Sequence, residues 1–346
     1  MIQLADSPLN TVREYASLPR QELVERIHRQ KAALNAVILG HNYQLLEIQE
    51  VSDFLGDSLG LSQEAANTDA DVIVFCGVHF MAETAKILSP HKTVLMPDPG
   101  AGCPMADFVT AESLRERKAQ HPDALVVTYV NSSADVKAES DICCTSANAV
   151  EVVASLPADR PVLFVPDRNL AQWVTHQTGR DNIIPWDGYC YVHDDMVMEE
   201  LRRAKEAHPD ALVVIHPEAR QDLLDQADAV ASTSGMVKMA AEHDALIIGT
   251  ERGLVEKLQE DYPEKTMVCL SGAAICGNMK ANNLPKLAWS LDHLQFEVTM
   301  PEEIRIRAEK ALQRMLEVSS GWRGRGNEKE GGIEAAGVST RGCGCG

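Results

Sequence analysis

Three cysteines occupy matching places in this chain: Gly102-Cys103, Tyr189-Cys190 and Ile275-Cys276. Their separations, 190 − 103 = 87 and 276 − 190 = 86 residues, are nearly equal. Each lies in a loop after a short apolar run, TVLMP, NIIPW or TMVCL. With nine cysteines in 346 residues, two further matches have a chance of roughly one in a thousand. Three thiolates meeting at one place suit Zn²⁺, or a [4Fe–4S] cluster with one iron lacking a protein ligand. An open iron is a Lewis acid that can polarise a carbonyl or hydroxyl. The plainer explanation is a buried cysteine shared by descent of three units, and the loop setting weighs against it.

A second set of residues keeps the same period. Three apolar runs end in polar triplets, His41-Asn42-Tyr43, Tyr129-Val130-Asn131 and His216-Pro217-Glu218. Ser58, Ser146 and Thr233 each follow 17 residues after the start of a triplet, and Asp53, Asp141 and Asp228 stand five before each hydroxyl. Ligands of open α/β sheets sit beyond the carboxyl ends of strands, where loops enter helix N-termini. Hydroxyls there suit carboxylate or phosphate oxygens, although a Ser or Thr in that place is ordinarily only a helix cap. Three in register beside His, Tyr and Glu point to a binding site.

The elements that must carry these residues follow from an internal repeat. HPDALVV occurs at 121–127 and again at 208–214. Around it each unit runs from a charged helical stretch into a β-branched strand, the pattern of a buried parallel sheet. VIVFCG, PVLFVP and ALIIG read as further strands, with FMAETAKIL, NLAQWVTHQ and GLVEKLQEDY as the helices after them. The expected fold is therefore α/β, with three homologous α/β/α sandwiches in a pseudo-threefold array about a shared centre. The expected units are 20–105 with 279–318, then 106–192, then 193–278, with a Gly-rich tail from 319 to 346 expected to be disordered.

A formal net charge of −19 argues against a nucleic acid or an anionic membrane as partner. The N-terminal stretch lacks the apolar core of a signal peptide and no run is long enough to span a bilayer, so a cytoplasmic location is expected. There, cysteines point to metal, cluster or buried thiol before disulfides. Cys76 and Cys269 fall in strands and Cys143-Cys144 read as packing, while Cys343 and Cys345 form a solvated pair on the tail.

Taken together, HNYQ (41–44), GDSL (56–59), FMAETAKIL (80–88), GCPMAD (102–107), YVNSSA (129–134), CTSANA (144–149), HPE (216–218), STS (232–234) and CGNMKANNL (276–284) closely resemble the quinolinate synthase family of de novo NAD biosynthesis. The resemblance implies a triangle of three related domains, each giving one cysteine to a [4Fe–4S] cluster, here Cys103, Cys190 and Cys276. It implies condensation of iminoaspartate with dihydroxyacetone phosphate to quinolinate, with loss of phosphate and water and no net redox change. His41, Ser58, Tyr129, Val130, Asn131, Ser146, His216, Pro217, Glu218 and Thr233 then fall where family members hold the dicarboxylate. Glu218 is the expected general acid/base, with His41, Tyr43, Tyr129, His193 and His216 as catalytic helpers. An aspartate-oxidising enzyme is the expected source of iminoaspartate, and a homodimer is open. One departure is the missing Cys-x-x-Cys-x-x-Cys run around Cys276, which argues against a thiol switch there. The alternatives are a three-cysteine zinc hydrolase or lyase and a non-catalytic dicarboxylate sensor.

Overall fold

Consecutive β-branched residues make strands apolar on both faces, and such strands are stable only when helices cover both sides of a parallel sheet. The computed structural model, which describes residues 8–326 and 339–340, contains three such sheets. β1 (Ala36–His41), β2 (Phe54–Gly56), β3 (Val72–Cys76) and β4 (Thr93–Leu95) stand in the order β2-β1-β3-β4. β5 (Leu125–Tyr129), β6 (Ile142–Cys144), β7 (Val162–Val165) and β8 (Ile183–Pro185) repeat it as β6-β5-β7-β8. β9 (Leu212–Ile215), β10 (Ala229–Val230), β11 (Ala245–Gly249) and β12 (Thr266–Cys269) repeat it again, and β13 (Ser339–Thr340) adds an antiparallel edge beside β10. The period in the sequence is thus a period in topology.

The repeated aspartates have a structural task. Asp53, Asp141 and Asp228 each accept the backbone N–H of Ile38, Val126 and Val213 at 2.8 Å. Each also returns its own N–H to that residue's carbonyl, at 2.9, 3.1 and 2.9 Å. The aspartate therefore staples the segment entering the second strand to the first strand. HPDALVV is likewise local architecture. His121 and His208 end their helices with nearly the same backbone angles, and each carbonyl accepts the N–H three residues on, at 3.0 and 3.1 Å.

The chain forms two compact units, Met1–Cys103 with Gly277–Met300 and Pro104–Cys276 with Pro301–Gly346. In the first, Leu284–His293 packs on the helices Pro8–Ala16 and Arg20–Ala33, burying Tyr15, Leu23, Ile27, Leu287 and Trp289. The segment 301–318, expected with the first repeat, instead belongs to the second unit. There Glu302–Gly326 lies on Ala134–Ala138 and β6 through Ala308, Ala311, Leu312 and Met315. An apolar stripe specifies that a face is buried, not which surface buries it. Polar contacts at this surface match the helix: Arg307 pairs with Glu139 at 2.9 Å and Arg314 donates to the Asp141 carbonyl at 2.7 Å. The helix also runs to Gly326, past the point where the tail was expected to begin at 319. Residues 327–338 and 341–346, with Cys343 and Cys345, lie outside the described residues. Among the described residues no helix is long and apolar enough to cross a membrane.

Removing one staple leaves a buried amide unsatisfied. Asp228→Ala is expected to cost about 1.5–3 kcal/mol, read as a lower urea midpoint at unchanged slope, and Asp228→Asn should recover part of it.

Candidate functional site

In the second unit the ends of two repeats meet in a buried polar array. Tyr129, at the carboxyl end of β5, donates its hydroxyl to Glu218 Oε1 at 2.5 Å. The other oxygen, Oε2, lies 2.8 Å from His193 Nδ1. His193 Nε2 is 2.9 Å from the Thr250 hydroxyl, and its ring stacks on His216 with centroids 4.5 Å apart. Asn169 donates to the Glu218 carbonyl at 3.0 Å and to Asp194 at 2.8 Å, tying the turn after β9 to the helix Arg168–Thr178. Tyr129, Glu218, His193 and His216 are each at most 3% exposed. Cys190 joins this group: its sulfur and one ligand atom each from His193 and Glu218 all lie within 4.8 Å of one another.

Burial and charge compete at Glu218. Burial alone would raise its pKa, but the imidazoles of His193 and His216, helped by the Tyr129 hydroxyl, bring it down to about 2. Glu218 is a carboxylate at neutral pH. Burial and the Glu218 charge push the Tyr129 hydroxyl well above its usual range, against a smaller opposing effect of Ser146, so the phenol keeps its proton. Burial, then the same Glu218 charge, raise Asp167 as well. Two buried carboxyls near one another cannot both ionise, and Glu218 is the one with imidazole neighbours. Asp167 Oδ1 accepts the Leu170 N–H at 2.8 Å, while the buried Oδ2 has no hydrogen-bond partner.

The first and third triplets share a turn geometry. His41 Nδ1 accepts the Tyr43 N–H at 3.2 Å, and the Glu218 N–H approaches His216 Nδ1 at 3.4 Å. An accepting Nδ1 assigns the proton of the neutral His41 ring to Nε2. His41 and Tyr43 meet edge to face, centroids 4.6 Å apart, and Lys280 donates to the Tyr43 carbonyl.

The cysteine loops are fastened alike in all three repeats. The first helical N–H of His79–Leu88, Arg168–Thr178 and Arg252–Asp261 donates at 2.8 Å to the carbonyl of Ala101, Gly188 and Ala274 respectively. Each acceptor stands two residues before its cysteine. At Gly188 a Cβ would come 2.4 Å from the Pro166 carbonyl oxygen, so glycine is required there. Cys103, Cys190 and Cys276 are half-buried, whereas Cys76, Cys143 and Cys144 are fully buried. Burial pushes the Cys76 and Cys143 thiols up to about 12 and that of Cys269 to about 11. The deeply buried cysteines are therefore held as thiols.

The hydroxyls are not the helix caps. Asp57 and Ser232 cap through the N–H groups of Gly60 and Gly235, which places Ser58 and Thr233 at the first helical position. In the second repeat the helix starts only at Ala149, after Ser146. Ser146 and Pro217 line a cavity of about 150 Å³ with Ser232, Glu151 and Trp173. Asn131 Oδ1 is buried without a partner, an acceptor awaiting a donor, and Val130 is buried with its N–H bonded to the Cys144 carbonyl at 2.9 Å. His41, Tyr43, Ser58 and Cys103 belong to the first unit, the remaining candidates to the second. The residues missed from sequence are Asp167, Asn169, Thr250 and Glu251. Asp167 and Glu251 both cap the helix after the third strand of their sheets, so extending the repeat register to that helix would have found them.

Residues 25–317 match the family described as quinolinate synthetase A protein. The quinolinate synthase of Desulforudis audaxviator is 54% identical over 297 residues, covering 85% of this chain and 98% of that protein. Quinolinate synthase 1 of Methanosarcina acetivorans is 54% identical over 303 residues, 87% of this chain and 99% of its own. The Geobacter metallireducens quinolinate synthase is 53% identical over 296 residues, 85% and 97% respectively.

The depressed Glu218 pKa has a signed consequence. Its folded value lies below the 4.5 of an unperturbed glutamate, so ionisation stabilises the fold above that pH, and the contribution is lost as pH falls toward the folded value. In urea unfolding, the stability difference between the wild type and Glu218→Gln should be constant above about pH 4.5 and change progressively below it. A difference independent of pH would show that Glu218 is not ionised.

Proposed function

The chain belongs to the quinolinate synthetase A protein family, and on that premise we propose that it condenses iminoaspartate with dihydroxyacetone phosphate to quinolinate, releasing phosphate and water, as a step of NAD biosynthesis. The observation that carries this reading is the buried Tyr129–Glu218–His193 array, in which an ionised carboxylate is held by a phenol and an imidazole from other segments.

Glu218 rests as the proton-accepting form. Glu218 is assigned as the general acid/base, a role in which its pKa must rise from about 2 as substrate displaces one of its partners. Tyr129 holds Oε1 and His193 holds Oε2, so the carboxylate keeps its aim, and Thr250 fixes the His193 ring in turn. Asn131, Ser146 and Thr233, with His41, Ser58 and His216, are assigned to the carboxylate and phosphate oxygens. Tyr43, turned against His41, is assigned to the phosphate side. Local imidazoles and helix N-termini oppose the global charge of −19 where anions must enter.

The chemistry of the donors fits a three-thiolate group: Cys103, Cys190 and Cys276 share one loop anchor and are half-buried. They would hold a [4Fe–4S] cluster whose open iron supplies Lewis acidity to a substrate oxygen. The pseudo-threefold triangle of repeats, a cytoplasmic location and a functional link to an aspartate-oxidising enzyme belong to the same reading.

The test is anaerobic purification with iron and sulfide analysis and an assay of quinolinate formation. About four irons and four sulfides are expected. Glu218→Gln should keep its iron and lose about 10²- to 10⁴-fold in kcat. Iron-replete protein that forms no quinolinate, or a colourless zinc protein that does, would overturn the proposal.

A further inference from the structure

We propose a second metal site: in the cluster-free chain, Cys190, His193 and Glu218 hold one divalent cation of the zinc class. A thiolate, an imidazole and a carboxylate are the three donor types of zinc sites, and three protein ligands with an open position form a recognised set. Here one ligand atom from each lies within 4.8 Å of the others. A tetrahedral ion needs ligand atoms about 3.3–3.8 Å apart, so the sulfur must close in while His193 Nδ1 and Glu218 Oε2, now 2.8 Å apart, open by about 0.5 Å. Cys190 is the half-buried member, at the N-cap of the helix Tyr191–Asp194, whereas the His193 and Glu218 side chains are buried and held by Thr250 and Tyr129.

Their fixing has the form found around metal ligands, whose outer atoms are held by hydrogen bonds. His193 points Nδ1 toward Glu218 while Nε2 meets Thr250 at 2.9 Å. Glu218 offers Oε2 while Oε1 is held by Tyr129 at 2.5 Å. A dication there would neutralise a buried carboxylate and a thiolate together, removing the penalty of burying either alone. All three ligands lie in one compact unit, and neither Cys103 nor Cys276 is needed. Because Cys190 is shared, this site and three-thiolate ligation exclude one another: zinc bound here blocks cluster assembly and occupies Glu218.

The experiment uses the full chain carrying Cys343→Ser and Cys345→Ser, prepared cluster-free and anaerobic, titrated with Co²⁺ and then competed with Zn²⁺. About one equivalent should bind, with the visible bands of a tetrahedral site and the near-ultraviolet band of a single thiolate. Cys103→Ser and Cys276→Ser should keep the affinity within about threefold, while Cys190→Ser and His193→Gln weaken it at least about tenfold. Loss of binding in Cys103→Ser or Cys276→Ser would overturn the proposal by placing the metal on three thiolates. Undiminished binding in folded His193→Gln would overturn it too. If circular dichroism shows that His193→Gln does not fold, Glu218→Gln is judged by the same tenfold criterion. The titration measures no quinolinate, so its failure leaves the proposed reaction standing, and failure of that reaction leaves this site standing.

Discussion

One hydrogen bond, made three times, sets the geometry on which the candidate site depends. A helix begins with N–H groups that have no partner in the helix itself. In each repeat the first of them is given to the carbonyl two residues before the conserved-register cysteine, at 2.8 Å. The bond ties a loop leaving one strand to a helix leaving the neighbouring strand. It holds the loop two residues ahead of the cysteine through backbone contacts alone. The second repeat shows how tight the fit is, since only a glycine at 188 clears the Pro166 carbonyl. The aspartate staples do the equivalent work on the other side of the central strand.

On this shared frame the repeats have diverged chemically. The residue before the anchored helix is Val78 in the first repeat, Asp167 in the second and Glu251 in the third. Valine caps nothing. Glutamate is long enough to take the Gly253 N–H with one oxygen at 2.6 Å and the Cys276 N–H with the other at 3.1 Å. Aspartate is one methylene shorter and spends one oxygen on its helix, which leaves the other without a partner beside Glu218. Three copies of one scaffold thus present an apolar residue, a carboxyl with one oxygen bonded and a carboxyl with both oxygens bonded in one structural slot. A strict repeat could not supply such asymmetry.

Much of this was legible in the sequence. The strands were, because parallel strands buried on both faces must be apolar without alternation, and the cysteines were, because a period near 87 residues is hard to reach by accident. The aspartates were visible as a spacing but not as staples, since a spacing does not say what a carboxylate accepts. That Ser58 and Thr233 follow the caps Asp57 and Ser232 is not legible from residue type, because both positions carry residues able to cap. Thr250 and Asn169 left no signal, as each matters only through a partner far off in the chain. The destination of Glu302–Gly326 was hidden for the same reason. Its stripe was plain, whereas Glu139 and Asp141, which receive its arginines, are remote in sequence.

That last helix also bears on the order in which the molecule is made. A ribosome delivers the second repeat well before residues 302–326 exist, yet these residues cover Ala134–Ala138 and β6 with four deeply buried side chains. Domains tend to fold as they emerge, but this one stays open on one face while the third repeat and the return to the first unit are synthesised. The middle of the chain is therefore the last part to be completed. A message truncated near its end would release a protein with every cysteine of the repeated set and a bare apolar face on its central repeat.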